Sequence, residues 1–387
     1  MRRAIEVAEV RGENDMQMAG VGYSEEQIEL LDVATSFCRD KSPIARVRKL
    51  MDSDLGYDAD VWAEMAALGW TAIAIPEAHG GVGLSLAEVV PVVEQMGRNL
   101  MASPLVSSTL AAQALITGGS EQQTAHWLPK LAEGAIGTLA LSEAHGDWDL
   151  QNIKATATLE GDAVHLSGEK LFVAWAQTAD IVIASVMLDG RPALVLLTAD
   201  NVAGRLRREA IIDETRRSFA LSLNGLVVSR AALLEIARTS STLSHIEQAA
   251  NLLQSAEMCG GSQSVIDYTV SYLQTRKQFG KIIGEYQALK HPTVDAYVEY
   301  EKARSHLYSA ANSFSDQGVG EIAVRMAKAA ADTTYSFAAD RAIQFHGGFG
   351  FTHDCDAGLH RRAGIFQASQ FGDAAWQRFK LAPLLLG

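Results

Sequence analysis

Behind Ser24 the chain begins to repeat at helical spacing. In SEEQIELLDVATSFCRD the apolar positions Ile28, Leu31, Val33 and Phe37 recur about every three or four residues, and Gln27 stands three places after the serine, as in a capping box. Similar patterns over 59–68, 85–100, 105–117 and 121–132, with a glycine-rich break at 76–83, predict a helical domain over 23–134. The texture then shortens. Runs such as GTLALSE, IKATATLEGDAVHLSGEKLFVA, DIVIASVMLDGRPALVLLTA and SFALSLNGLVVSR, with turn pairs at Glu160-Gly161, Asp189-Gly190 and Asn224-Gly225, predict an antiparallel sheet domain over 135–238. No helix-length segment interrupts these runs, which disfavours a parallel βαβ sheet and the dinucleotide site that goes with it. From 239 to 387 helical periodicity returns over roughly 243–275, 285–313, 318–346 and 359–382, broken near 279–280 and 347–350. The predicted fold is therefore mainly α with a central antiparallel β domain.

Composition narrows the classes. The chain has 387 residues, of which 48 % are hydrophobic and 20 % charged, enough to bury a sizeable core and far from disordered compositions. A formal net charge of -13 argues against a nucleic-acid surface, while leaving room for a local basic patch on a phosphate-bearing cofactor. Cys38, Cys259 and Cys355 are too few and too scattered for a disulfide framework or a metal site, which fits a reducing cytoplasm. No run approaches the ~18 apolar residues of a membrane span. Residues 1–22 read as a polar extension outside the fold.

Two motifs carry chemistry. TRKQFGKIIGEYQ offers Arg276, whose forked guanidinium suits a pyrophosphate, Phe279, an apolar face for a ring, Gly280, which lets backbone approach closely, and Gln287. AIQFHGGFG offers Gln344, Gly347, Gly348 and Gly350; alone, such glycines also suit a helix cap and turn. Together, and in this helical–β–helical order, they resemble the acyl-CoA dehydrogenase family across nearly the whole chain from Ser24. The resemblance implies FAD as cofactor, an acyl-CoA substrate, an electron-transferring flavoprotein as acceptor, and an oligomer in which Arg276, Phe279, Gln287, Gln344, Gly347 and Gly348 reach a neighbouring subunit's flavin. FTHDCDAGLHRRA is similar to the branch that handles bulky or steroid-like acyl groups, through Leu359, Arg361 and Arg362 with His360 beside them; an exposed basic helix face is the plain alternative.

Elsewhere the chain departs from that pattern. Where the family has Thr-Glu-Pro before a small-residue loop facing the flavin, this chain has Ser142, Glu143 and Ala144, then Asp147 and Trp148. Where the family has Trp-x-Thr, it has Phe172-Val173-Ala174, keeping the aromatic and losing the hydroxyl. The two family positions for the catalytic glutamate fall at Gln370 and Ala250. Glu257, seven residues beyond Ala250 and so on the same helix face, is the candidate base, among apolar neighbours that would raise its pKa; a buried Glu satisfied by helix partners or by an Arg of another subunit is the structural alternative. The function expected is flavin-dependent α,β-dehydrogenation of an acyl-CoA. A non-catalytic partner subunit of a heteromeric dehydrogenase is its rival, and a flavin oxidase or monooxygenase on the same fold is a third reading.

Overall fold

The structure, a computed structural model, describes residues 24–386. The extension expected over 1–22 lies outside the described residues. Helix α1 (Glu25–Lys41) opens on the predicted capping box, with Ser24 Oγ accepting the Gln27 N–H and Gln27 Oε1 accepting the Ser24 N–H, both at 3.1 Å. Its buried stripe is Gln27, Ala34 and Cys38, and Val33 is exposed. The face is rotated from the expected Ile28, Leu31, Val33 and Phe37 because the Gln27 amide points inward, donating to Ala87 O and Asn312 Oδ1 at 3.3 Å each. Helices α2 (Ile44–Met51), α3 (Ala59–Ala67), α4 (Leu86–Arg98), α5 (Leu105–Gly118) and α6 (Glu121–Ala132) follow.

Nine strands come next: β1 (Gly137–Ala140), β2 (Thr156–Glu160), β3 (Ala163–Ser167), β4 (Glu169–Ala174), β5 (Ile181–Leu188), β6 (Arg191–Thr198), β7 (Leu206–Glu209), β8 (Ser218–Ser222) and β9 (Leu226–Ser229). The larger sheet runs β1-β5-β2-β3-β9 with β6 on β5, and the smaller runs β4-β8-β7. Most pairings are antiparallel as expected, but β1 and β2 both pair with β5 in parallel. The periodicity argument missed this because the return to β5 is made through strand β4 of the other sheet and not through a helix. Strand β5 is buried from Ile181 to Val186, as a strand covered on both faces must be.

The Asp189-Gly190 hairpin forms as predicted, with Leu188 opposite Arg191 and both turn residues at positive φ. The first turn lies one residue later than expected, at Gly161-Asp162, since Glu160 pairs with Ala163. Asn224-Gly225 makes no hairpin; it carries the chain from the small sheet to the large one, and the Asn224 side chain accepts from Ser167 Oγ at 3.0 Å and Gly168 N at 2.8 Å.

The helical remainder is α7 (Thr239–Thr275), α8 (Gln287–Ser313), α9 (Val319–His346), α10 (Asp356–Ser369) and α11 (Ala374–Leu386), with the two-residue strands β10 (Lys277–Gln278) and β11 (Lys281–Ile282) after α7. The single helix expected over 359–382 is two, because the chain turns at 370–373, where Phe371 and Gly372 take φ 53° and 97°. Helix α4 crosses α7 at backbone contact. A Cβ on Gly97 would stand 2.0 Å from Glu257 O, and one on Gly260 would stand 1.8 Å from Glu94 O, so both crossings require glycine. That crossing fixes where Glu257 lies.

Candidate active site

An inner cavity of about 110 Å³ opens between the β region, α5, α7 and the end of α10. Ser142, Phe172 and Ala174 line it, with Gln254, Gln370 and Arg216. An outer cleft of about 420 Å³, bordered by Trp148 and Ile212, shares Ser142, Phe172, Phe366, Gln370 and Phe371 with it, so the two adjoin. Apolar walls with a few convergent polar groups are the usual make-up of a ligand site.

The wall follows from local backbone. Strand β4 bulges between Lys170 and Val173, leaving Phe172 at φ 56° and 45 % exposed, an unusual posture for an aromatic residue. Its N–H is held by Glu209 Oε2 at 2.9 Å, which also accepts from Ser218 Oγ at 2.8 Å. Glu143 is structural: it accepts from Lys170 Nζ at 2.6 Å and from the N–H groups of Lys154 and Ala155, and it does not face the inner cavity. In the altered loop, Trp148 Nε1 donates to Ser369 O at 2.8 Å, tying the β region to the end of α10.

Glu257 is buried, and its carboxylate is held by Arg216, which also donates to Asp213 Oδ2 at 3.0 Å. Burial raises the Glu257 pKa, and the guanidinium works against that rise. Arg216 lines the cavity; Glu257 lies behind it and does not. Among the described residues, no carboxylate lines the inner cavity, whereas Glu143 and Asp147 line the outer cleft. Ala250 is wholly buried in the core, whereas Gln370 reaches the cavity. Sequence reasoning missed Arg216 and Gln254. Gln254 stands four residues after Ala250, one helical turn, and that spacing was the available signal; Arg216 has a local partner in Asp213, but nothing local points to Glu257, 41 residues away.

The other predicted residues gather at one end of the helical bundle. Phe279-Gly280 turns the β10–β11 hairpin, with Phe279 91 % exposed, and Arg276 and Gln287 are exposed beside it. Tyr272, which accepts the Arg276 N–H, stacks on His346 at 4.2 Å between ring centroids, placing the Arg276 motif next to Gln344, Gly347 and Gly348. Among the described residues, nothing lies within 4 Å of where a Cβ on Gly348 would stand, whereas one on Gly350 would meet Ile343 O at 2.2 Å. Gly350 is thus required by the fold and Gly348 is not. None of the residues at this end lines the inner cavity or the cleft. Leu359 and His360 are buried, and Arg361 and Arg362 pair with Asp340 at 2.6 Å and Glu214 at 3.5 Å, so this basic pair is engaged within the chain. No helix among the described residues is long and apolar enough to cross a membrane.

Comparison with known proteins agrees with this architecture. Residues 24–135 match the family description "Acyl-CoA dehydrogenase, N-terminal domain", and 248–377 match "Acyl-CoA dehydrogenase, C-terminal domain". Acyl-CoA dehydrogenase IpdE2 of Mycolicibacterium smegmatis is 30 % identical over 339 residues, spanning 87 % of this chain and 91 % of that protein. A solved variant of the Tcur3481–Tcur3483 steroid ACAD superposes with a TM-score of 0.83 at 28 % identity, covering 93 % of this chain and 98 % of that one. The ChsE4–ChsE5 complex from Mycobacterium tuberculosis shares the fold, with a TM-score of 0.85 at 24 % identity over 94 % of this chain and 98 % of that one. With the helical regions on both sides of the sheets matched in sequence and the whole order matched in space, the chain belongs to the acyl-CoA dehydrogenase family, whose members bind FAD.

Proposed function

We propose that the chain is a subunit for flavin-dependent α,β-dehydrogenation of a bulky acyl-CoA thioester, with an electron-transferring flavoprotein as acceptor. One observation carries the reading: Ser142, Phe172 and Ala174, chosen from sequence as flavin contacts, line a single cavity together with Gln370. The residues suit the cofactor. Phe172 is presented as a bare aromatic face by a strained bulge, and the space beside Gly348 is open among the described residues. FAD, when bound, supplies the acceptor for the hydride leaving the β-carbon. Ser142 contributes a hydroxyl donor beside Phe172, and the apolar wall of Val106, Leu110, Leu139 and Leu141 excludes water from an acyl group. Arg276, Phe279, Gln287, Gln344, Gly347 and Gly348 serve a neighbouring subunit's flavin, which fits their distance from the chain's own cavity.

In a chain that works alone, the base is Glu257. Taking the α-proton there requires Arg216 to turn toward Asp213 and free the carboxylate. The absence of a carboxylate on the inner wall favours the second reading, in which the base sits on a homologous partner chain. The visible spectrum and light scattering of the purified chain separate the two. A self-sufficient oligomer carries one flavin per chain and is bleached by cyclohexanecarboxyl-CoA; a partner-dependent chain does so only when mixed with its homologue. A flavin-bearing monomer would contradict the trans assignment.

Arg276→Ala is expected to lower flavin occupancy by removing a charge-assisted contact worth roughly 1.5–3 kcal/mol, with the fold intact because Arg276 is exposed. Absorbance at limiting FAD measures it. Full retention would remove Arg276 from the site.

A further inference from the structure

Segment 370–373 joins α10 to α11 and carries Gln370 and Phe371, which line both the cavity and the outer cleft. Its backbone is not one the chain adopts cheaply, with Phe371 at φ 53° and Gly372 at φ 97°. Something must hold it. Three carbonyls around the segment, Gln367 O, Ala368 O and Gly372 O, converge on Lys328 Nζ of α9 at 3.2, 3.4 and 3.2 Å. One turn along α9, Asp332 Oδ2 accepts the Ala374 N–H at 2.7 Å, and Gln377 Nε2 donates to Phe371 O at 2.8 Å.

Lys328 is fully buried. Burial pushes its ammonium down to about 8, with Asp332 and Asp373 acting against the fall. A methionine of similar length would fill the same space without that cost, so packing gives no reason for a cation here. Three carbonyls at and just past a helix C-terminus do give one: Gln367 O and Gly372 O each have one other donor, the Gln370 N–H at 3.2 Å and Gln377 Nε2 at 3.4 Å, and a cation donates to all three at once and complements the helix dipole.

We propose that Lys328 is a positioning residue, which holds segment 370–373, and with it Gln370 and Phe371, in place as a wall of the cavity. Lys328 itself does not line the cavity. The claim concerns the shape of the wall and goes beyond the thioester reading, so either can fail without the other.

The test compares amide hydrogen exchange of the purified full-length chain with that of Lys328→Met, in peptides spanning 368–376. The expected result is exchange ~10-fold faster in those peptides, with α7 peptides and the thermal midpoint nearly unchanged. Lys328→Gln, which keeps an N–H donor, should fall between the two. Uniformly faster exchange, a loss of thermal stability without change confined to 368–376, or failure of both variants to fold would make the lysine a core residue and overturn the proposal. A second readout is affinity for cyclohexanecarboxyl-CoA: weakening in Lys328→Met together with loop loosening supports positioning, and loosened peptides with unchanged affinity would separate the segment from the cavity and overturn it. If no form of the chain binds that probe, the thioester reading fails, and the exchange result alone decides for or against Lys328.

Discussion

Arg216→Met is expected to destabilise the chain by about 3–5 kcal/mol, because it leaves the buried carboxylates of Glu257 and Asp213 without their shared cation. Burial alone would not produce such a loss. An isolated ionised carboxylate in apolar surroundings is costly, and Asp213 keeps only the Thr215 hydroxyl and N–H as donors once the guanidinium is gone. Urea unfolding measures the effect as a lower midpoint. The double variant Arg216→Met with Glu257→Leu should recover only part of it, since it removes one of the two uncompensated carboxylates and leaves Asp213. If Arg216→Met unfolds within about 1 kcal/mol of the unchanged chain, Arg216 is a solvated side chain whose pair with Glu257 contributes little.

Glu257→Gln is expected to slow flavin reduction by an acyl-CoA at least ~100-fold in a chain that reduces flavin by itself, the loss typical of removing a general base. Glutamine keeps the size and an oxygen for Arg216, so the cavity should hold its shape. Stopped-flow bleaching of the flavin band is the measurement. Unchanged reduction removes Glu257 from the chemistry. If neither the unchanged chain nor the variant reduces flavin alone, and both do so beside a homologous chain, the base belongs to that partner and the Arg216–Glu257 pair is structural. Paired with Arg216→Met, the experiment separates the two roles a buried glutamate can play, because catalysis depends on freeing the carboxylate and stability depends on holding it.

Much of the site was legible because its signals are local. The capping box of Ser24 and Gln27, the hairpin at Asp189-Gly190 and the break at Phe279-Gly280 each depend on residues within a few positions, and the chain adopts all three. The contrast between helical and strand periodicity likewise reported the helical–β–helical order. The family resemblance singled out Ser142, Phe172 and Ala174, and Gln370 as a family position for the base; all four line one cavity.

What tertiary structure alone decided depends on partners far apart in the chain. The parallel pairing of β1 and β2 with β5 comes from a return path through a second sheet, which no periodicity records. The split of α10 from α11 is enforced by Lys328 and Asp332 from another helix, and Gln27 faces inward because Ala87 and Asn312 accept from it. Above all, sequence could place Glu257 on a helix face, but the cation that holds its carboxylate, Arg216, stands 41 residues away and is brought beside it by packing. Helical spacing is a property of a segment, whereas the charge that neutralises a buried carboxylate is a property of the fold.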